Sequence, residues 1–278
     1  MVVKYSDYLC YSNFDIESFF MSTFLFDNII FGPVWSRRLG ESLGINLLPV
    51  NRKVCSFNCI YCECGHTPSG GPAVDFPEVE EVKKLLGLRL QEMKRNEEYL
   101  DSITFAGNGE PTMHPEFPRI VDDAIALRNH YYPKANLTVL SNATQIGNDR
   151  VFNALLKADL NILKLDSAIE ETLFKINCPL GNYRLTETIQ LLKRFKGKII
   201  IQTMFFRGSY KGIIVDNTTE NEVNAWLATL KQISPEGVMI YSIARDTAVQ
   251  GLERISQEEL EKIADRAAEI GINSQVTP

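Results

Sequence analysis

The chain has 278 residues, of which 45% are hydrophobic and 23% charged, and its formal charge is −6. This composition is typical of a folded globular protein, and the acidic balance argues against a broad surface for nucleic acid. No apolar run approaches the roughly 20 residues of a membrane-spanning helix, and the first residues lack a basic secretory leader. We therefore expect a cytoplasmic protein with reduced cysteines and with no membrane or nucleic-acid partner.

The first residues differ in pattern from the rest of the chain. Residues 1–20 carry scattered aromatic side chains without a clear period, and Met21 could itself be a translation start. We predict that residues 21–278 form one domain. For the extension two interpretations stay open: a poorly anchored, disordered segment or a packed N-terminal helix.

Strand-like and helical segments then alternate along the chain. The predicted strands are 44–50, 102–107, 137–142, 161–166, 198–206 and 237–242. The predicted helices are 77–93, one from Phe117 to Leu127, 149–157, 185–195, one that follows the capping pair Thr219 and Glu222, and one that follows Ser256 and runs to residue 270. This alternation predicts an α/β fold whose parallel strands are joined by right-handed crossovers, in a barrel or an open doubly wound sheet.

Four cysteines and a histidine lie within the stretch VCSFNCIYCECGH, directly after the first predicted strand. Cys55, Cys59 and Cys62 have CxxxCxxC spacing, and thiolates at such spacing bind iron–sulfur clusters or zinc. A loop at the carboxyl end of a strand is where α/β barrels carry their chemistry. Three protein thiolates on a cubane would leave one iron open, which is typical of a catalytic metal site.

A zinc site is the alternative interpretation of the same cysteines. Cys62, Cys64 and His66 could form a zinc knuckle with Cys59 or Cys55. Zinc would favour two well-separated ligand pairs, and the sequence offers no second pair. The cysteines alone favour an iron–sulfur cluster but leave both interpretations open.

Motifs beyond the cysteines resemble the radical S-adenosylmethionine (SAM) superfamily. Its CxxxCxxC signature has an aromatic residue before the last cysteine, here Tyr61. IFGPVWSRRLGESLGINLLP (30–49), followed by CSFNCIYC, resembles the relatives of wyosine-synthesising tRNA enzymes, and AGNGEPTMHP (106–115) resembles their glycine–glycine–glutamate motif. SNAT and LKLD end the next two strands, as the family pattern has them. The likeness covers about residues 24–276.

The resemblance implies a partial (β/α)6 TIM-type barrel that binds a [4Fe–4S] cluster and SAM. Cys55, Cys59 and Cys62 would bind three irons, and SAM would chelate the fourth. A reductant such as flavodoxin or ferredoxin would supply the electron that cleaves SAM to a 5′-deoxyadenosyl radical. Cys64 exceeds the motif by one cysteine and would be a bystander.

The resemblance also implies contacts to SAM from the strand ends. Gly107, Asn108 and Gly109 are candidate SAM contacts, because glycines let the backbone approach a ligand closely. Glu110, which follows them, would accept a hydrogen bond from the SAM ammonium. The alternative is an ordinary glycine turn. The other candidate contacts are Tyr61, Ser141, Asn142, Asp166, Gln202 and Tyr241. For these side chains, turn or capping roles and ordinary core positions remain alternatives.

The substrate is expected to be a small molecule or a peptide. Arg37 and Arg38, ahead of the cysteines, could clamp a phosphate or carboxylate or make solvated salt bridges. Rival functions are a glycyl-radical-enzyme activase, a wyosine-synthase-like tRNA enzyme and a non-catalytic iron–sulfur or zinc module. Archaeal wyosine synthases carry a second cluster on upstream cysteines, whereas Cys10 is the only upstream cysteine here.

Overall fold

The structure is a computed structural model that describes residues 24–70, 73–245, 247 and 249–278. The predicted extension, residues 1–20, lies outside the described residues. Among those described, the strands are β1 (Ile30–Ser36), β2 (Gly40–Ile45), β3 (Ser102–Phe105), β4 (Asn136–Ser141), β5 (Leu160–Lys164), β6 (Ile200–Met204), β7 (Phe206–Tyr210), β8 (Ile213–Asp216), β9 (Gly237–Tyr241), β10 (Leu252–Arg254) and β11 (Ser274–Thr277). The helices are α1 (Val79–Arg95), α2 (Phe117–Tyr131), α3 (Asp149–Leu155), α4 (Glu170–Asn177), α5 (Leu185–Lys193), α6 (Glu220–Ile233) and α7 (Gln257–Glu269).

The main sheet has eight strands in the order β1-β2-β3-β4-β5-β6-β9-β11. β1 is antiparallel to β2, and every other neighbouring pair is parallel. Gln275 on the edge strand β11 donates from Nε2 to the Arg38 carbonyl oxygen, in the turn between β1 and β2 (3.4 Å). The two edges of the sheet therefore approach each other, and the sheet curls into a partial barrel. The expected α/β partial barrel is confirmed.

All six predicted strands are present, with one shifted in position. The segment 44–50 was predicted as a strand, but β2 ends at Ile45. The chain turns there because the Asn46 side chain bonds the backbone of Leu48, through Nδ2 to the carbonyl (3.0 Å) and through Oδ1 from the amide (3.2 Å). The sequence patterns missed β1, the second sheet β10-β7-β8, β11 and α4. β8, β10 and β11 have only three or four residues each, and α4 has eight, which leaves little length for a periodic pattern.

The helices cover the outside of the sheet and close the core between the two layers. α1 buries Val82, Leu86, Leu90 and Met93 on one face, as its period predicts. The predicted cap of α6 forms in one direction only. Thr219 Oγ1 accepts from the Glu222 amide (3.3 Å). The Glu222 carboxylate does not return a hydrogen bond to Thr219 but accepts from Ser167 Oγ (2.6 Å). None of the described helices has the length and apolarity to cross a membrane.

The main sheet has seven parallel strands, which are β2 to β6, β9 and β11. Because they run parallel, their carboxyl ends share one rim of the partial barrel. The cysteine loop follows β2 and lies at this rim. The strand-end motifs of β3, β4 and β5 meet it there.

Candidate active site

A cavity of about 180 Å³ lies at the rim, between the cysteine loop and the carboxyl ends of the strands. The predicted residues that line it are Cys55, Cys59, Tyr61, Cys62, Gly107, Gly109, Glu110, Ser141, Asn142 and Gln202. Lys53, Cys64 and Lys164 line it as well. Asn108, Asp166 and Tyr241 are not among the described lining residues. The structure therefore brings most of the predicted site together around one space.

The backbone of the cysteine loop pairs with the glycine motif after β3. The Val54 amide donates to the Asn108 carbonyl (2.9 Å), and the Glu110 amide donates to the Val54 carbonyl (3.0 Å). Gly109 has φ +139°, and a Cβ there would lie 1.9 Å from the Val54 oxygen. We expected this glycine to admit a ligand, but its close neighbour is the cysteine loop itself. The glycine motif thus fixes the position of the cysteine loop.

The C-terminal end of α4 and the residue after it hold the other side of the cysteine loop. The Ile60 amide donates to the Ile176 carbonyl (2.9 Å), and the Asn58 amide donates to the Cys178 carbonyl (3.1 Å). Cys178 caps α4 with φ +40°. The loop is thus held by backbone hydrogen bonds on both sides before any ligand is bound.

Lys53 is a site residue that the sequence analysis missed. Its side chain is buried, and Nζ donates to the Gly65 carbonyl oxygen (2.8 Å). Burial alone would lower its pKa, but electrostatic interaction with the thiolate forms of Cys62, Cys55 and Cys59 outweighs this and raises it. A lysine two residues before the first cysteine was the available signal. Lys53 is therefore a fixed positive charge among the thiols.

The thiols differ in their ionisation. A hydrogen bond from Cys64 is the main cause that lowers the pKa of Cys62 to about 5, and Lys53 adds to it. Burial raises the pKa of Cys55 to about 12 and also raises that of Cys59. Soft metals bind thiolates and displace these protons on binding. Cys62 is thus the thiol most readily available as a thiolate.

Two amides donate to the remaining thiols. Asn142 Nδ2 lies 3.5 Å from Cys55 Sγ, and Asn177 Nδ2 lies 3.3 Å from Cys59 Sγ. Such N–H···S contacts stabilise thiolate charge and tune the clusters that thiolates hold. Asn177, at the end of α4, carries no motif, and the sequence analysis missed it. The three predicted ligands therefore each have a donor aimed at sulfur.

The donor set of the cavity fits an iron–sulfur cluster. Within the described parts of the chain, no three His, Cys, Asp or Glu side chains converge closely enough for one metal ion. A cubane does not require such convergence, because each thiolate binds a separate iron. Three thiols, a buried cation and amide donors are the surroundings that such a cluster needs.

Glu110 is buried and accepts hydrogen bonds on both carboxylate oxygens. Oε1 accepts from Ser141 Oγ (2.8 Å), from the Thr112 amide (3.1 Å) and from the Thr112 hydroxyl, and Oε2 accepts from the Asn142 amide (2.6 Å). Burial raises its pKa, although these donors oppose the shift. Ser141 and Asn142 thus act together with Glu110: they orient a carboxylate that lines the cavity.

Tyr61 belongs to a second buried network. Its hydroxyl donates to Asp166 Oδ2 and accepts from Lys164 Nζ (2.7 Å). Asp166 also accepts from Asn177 Nδ2 (2.6 Å) and from the Met204 amide (3.0 Å), and pairs with Lys164 (3.6 Å). Asp166 thus lies behind Tyr61 with both oxygens engaged. Asp166 therefore supports Tyr61 and Asn177 through hydrogen bonds.

Asn108 faces away from the cavity. Its side chain accepts from the Phe26 amide (2.8 Å) and donates to the carbonyl oxygens of Phe26 (2.9 Å) and Pro49 (3.0 Å). It therefore joins the segment before β1 to the glycine motif. Gln202, in the middle of β6, lines the cavity as its position in an apolar strand predicts.

Tyr241 ends β9 and lines an adjoining cavity of about 300 Å³ together with Arg37 and Arg38. The Arg38 guanidinium lies over the Tyr241 ring, with Cζ 4.7 Å from the ring centre. Leu140 lines both cavities. The two spaces are therefore neighbours.

Comparison with known proteins places this geometry in a family. The model of the Radical SAM superfamily matches residues 53–212, more than half of the chain. A UPF0026 protein of Synechocystis is 31% identical over 228 residues, which cover 80% of this chain and 77% of that protein. A radical SAM methyltransferase structure from Sphaerobacter thermophilus is similar in fold, with a TM-score of 0.62 at 14% identity over 85% of this chain and 65% of that one.

The chain spans only part of the first relatives that it matches. It is 34% identical over 212 residues to a UPF0026 protein of Methanocaldococcus jannaschii, which cover 74% of this chain and 61% of that protein. A GTPase Obg of Brachyspira hyodysenteriae is 27% identical over 238 residues, which cover 84% of this chain but 32% of that protein. The family match and the rim cavity nevertheless agree: this chain belongs to the radical SAM superfamily, whose members use a [4Fe–4S] cluster and SAM.

Proposed function

We propose that this enzyme binds a [4Fe–4S] cluster through Cys55, Cys59 and Cys62 and cleaves SAM reductively in order to act on a small-molecule or peptide substrate. The observation that carries the proposal is the shared cavity, where these three thiols and the carboxylate of Glu110 face one space. When bound, the cluster and SAM supply one-electron cleavage of SAM, which is measured as 5′-deoxyadenosine. Superfamily enzymes need a reductant, and a flavodoxin or ferredoxin is the partner we propose.

The chain's own residues bind, orient and shield in this proposal. Lys53 offsets the negative charge of the thiolates, and Asn142 and Asn177 donate to sulfur. Glu110 offers its carboxylate to the SAM ammonium, held in place by Ser141 and Asn142. Tyr61, Gly107, Gly109 and Gln202 form part of the remaining wall of the cavity.

The size of the adjoining space supports a small substrate. The cavity that Tyr241 lines has a volume of about 300 Å³, at the lower end of the range of small-ligand pockets. It matches a small molecule or a single side chain of a peptide. The activase and the tRNA enzyme remain rival functions, and both would need a docking surface for a macromolecule beside this opening.

The test is anaerobic reconstitution of the purified chain with iron and sulfide. We expect the absorption and electron paramagnetic resonance spectra of a [4Fe–4S] cluster, and 5′-deoxyadenosine after addition of SAM and dithionite. A reconstituted cluster without 5′-deoxyadenosine would favour a non-catalytic iron–sulfur module. Stoichiometric zinc in place of iron would favour a zinc module.

A further inference from the structure

The cavity beside the candidate active site, here called the lateral cleft, opens between the β1–β2 hairpin and the carboxyl end of β9. Its lining includes Trp35, Arg38, Leu140, Met204 and Tyr241. Since Leu140 also lines the cysteine cavity, a molecule in the lateral cleft would lie next to SAM in the proposed enzyme. The lateral cleft is therefore the place from which a substrate can reach the chemistry.

Arg38 has an unsatisfied hydrogen-bond donor in this cleft. Its guanidinium packs over the Tyr241 ring at 4.7 Å, and Nη1 is fully buried with no hydrogen-bond partner among the residues that the structure describes. A buried polar group without a partner is unfavourable, and in native proteins such groups usually meet a protein atom, water or a ligand. The donor thus points to a ligand acceptor.

The charges that line the lateral cleft favour an anion. Three arginines face it: Arg37, Arg38 and Arg245. Among its described lining residues, Glu63 is the only carboxylate, and Glu63 is paired with Arg245 (2.9 Å). Arg37 donates to a main-chain oxygen of Pro278. The cleft therefore has excess positive charge although the whole chain is acidic.

We propose that the substrate carries a carboxylate or phosphate group and that Arg38 binds this group in the lateral cleft; the inference rests on the proposed function. A guanidinium matches either oxyanion with two parallel N–H donors, and stacking on Tyr241 holds its plane in one orientation. The apolar side chains of Trp35, Leu140 and Met204 surround the rest of the substrate. The substrate is thus a small molecule with an anionic end and an apolar body.

The first test protects Arg38 chemically in the wild-type protein. The reconstituted, SAM-loaded protein reacts with phenylglyoxal in buffer alone, with inorganic phosphate or with acetate, at one ionic strength set by chloride, and tandem mass spectrometry maps the modified arginines. We expect at least one of the two anions to slow modification of Arg38 tenfold or more. Arg184, an exposed arginine on α5's N-terminal side, is the internal control and should react equally in all samples.

The second test compares variants by calorimetric titration of the same SAM-loaded protein with inorganic phosphate and with acetate. Arg38→Gln should bind the preferred anion at least tenfold more weakly, and Arg184→Gln should match the wild type. Tighter binding of inorganic phosphate would identify the substrate group as a phosphate, and tighter binding of acetate would identify it as a carboxylate.

Two results would overturn the proposal: equal modification of Arg38 with and without both anions, or equal anion affinity of Arg38→Gln and the wild type. If Arg38→Gln does not fold, the protection experiment decides alone. Production of 5′-deoxyadenosine by the wild type is measured on the same preparation. Its failure would remove the proposed function, whereas the anion results report on Arg38 independently.

Discussion

The four thiols of the cysteine loop differ in what surrounds them, and this difference predicts what each contributes. Cys55, Cys59 and Cys62 each have an N–H donor near sulfur, from Asn142, Asn177 and Lys53 respectively. Cys64 instead donates toward Cys62 and has Sγ 3.7 Å from the Gly107 carbonyl oxygen. Its pKa is raised, chiefly by that hydrogen bond to Cys62. Cys64 thus differs in geometry from Cys55 and Cys59: its sulfur contacts a carbonyl oxygen, whereas theirs accept from side-chain amides.

We therefore predict that Cys55→Ala, Cys59→Ala and Cys62→Ala each lose the cluster, while Cys64→Ala keeps its full iron content. The physical reason is that a cluster with three protein ligands leaves one iron for SAM. The measurement is iron and sulfide per chain after reconstitution, with circular dichroism as the folding control. Loss of iron in Cys64→Ala would contradict the assignment of three ligands.

A substitution at Glu110 can distinguish a contact to SAM from a role in the turn alone. Glu110→Gln keeps the size but replaces one carboxylate oxygen by an NH2 group, which cannot accept from the donors there: Ser141 and Thr112 at one oxygen, or the Asn142 amide at the other. Hydrogen bonds to charged groups contribute roughly 1.5–3 kcal/mol. We predict that the dissociation constant of SAM rises about tenfold or more, with the cluster retained.

The measurement is equilibrium binding of SAM to the reconstituted variant. Ser141→Ala is the matched control, since it removes one donor to Glu110 and leaves the negative charge in place. Its effect on SAM affinity should be smaller. If Glu110→Gln binds SAM as the wild type does, Glu110 has only a structural role in the turn.

Segments of the chain, and not only side chains, hold the site in place. The cysteine loop lies between the glycine motif after β3 and the C-terminal end of α4 with the residue after it, and both contacts are backbone hydrogen bonds. A change in backbone geometry on either side should therefore reach the cysteines. Gly109 is the tightest of these contacts, with its ideal Cβ position 1.9 Å from the Val54 oxygen.

We predict that Gly109→Ala displaces the cysteine loop, lowers iron content and destabilises the fold. Strained positive-φ positions cost roughly 1–3 kcal/mol for a side chain, and here a backbone clash adds to that cost. Gly212→Ala is the matched control, because Gly212 also has positive φ (+78°) but has nothing within 4 Å of its Cβ position. Denaturant unfolding and iron content are measured for both. Equal losses in the two variants would show that conformation alone, and not contact with the loop, matters at Gly109.

The charge of the entire chain bears on the rival tRNA function. It has 29 basic and 35 acidic side chains, and the positive charge in the lateral cleft occupies a space of about 300 Å³. Tight tRNA binders neutralise several phosphates with a continuous basic face, and their affinity falls steeply with salt. The excess positive charge of the lateral cleft lies within a small space, which suits one oxyanion and not a run of phosphates.

We accordingly predict no tight complex with bulk tRNA at physiological salt. Filter binding across a salt series is the measurement, with the lateral-cleft variant Arg38→Gln in parallel. A submicromolar, salt-dependent complex, or 5′-deoxyadenosine release stimulated by tRNA that contains methylguanosine, would overturn this prediction in favour of a wyosine-synthase-like activity.

Local patterns in the sequence determined the class of fold and the centre of the site. Strand and helix periods alternate along the chain, and this alternation specifies parallel strands with crossover helices. The carboxyl ends of parallel strands meet at one rim, so the cysteines, GNGE and SNAT were expected to come together, and the structure brings them together. Each motif is local in the chain and can be read from its own spacing, and the parallel topology brings the three motifs to one rim.

The tertiary structure alone decided which side chains face the cavity and which support it. Asn177 reaches Cys59 across 118 positions of sequence, and Gln275 reaches the Arg38 carbonyl across 237. Asp166 follows the strand-end pattern yet lies behind Tyr61. The curl of the sheet and the packing of α4 set these contacts. No local period encodes them, because their partners are chosen by the fold.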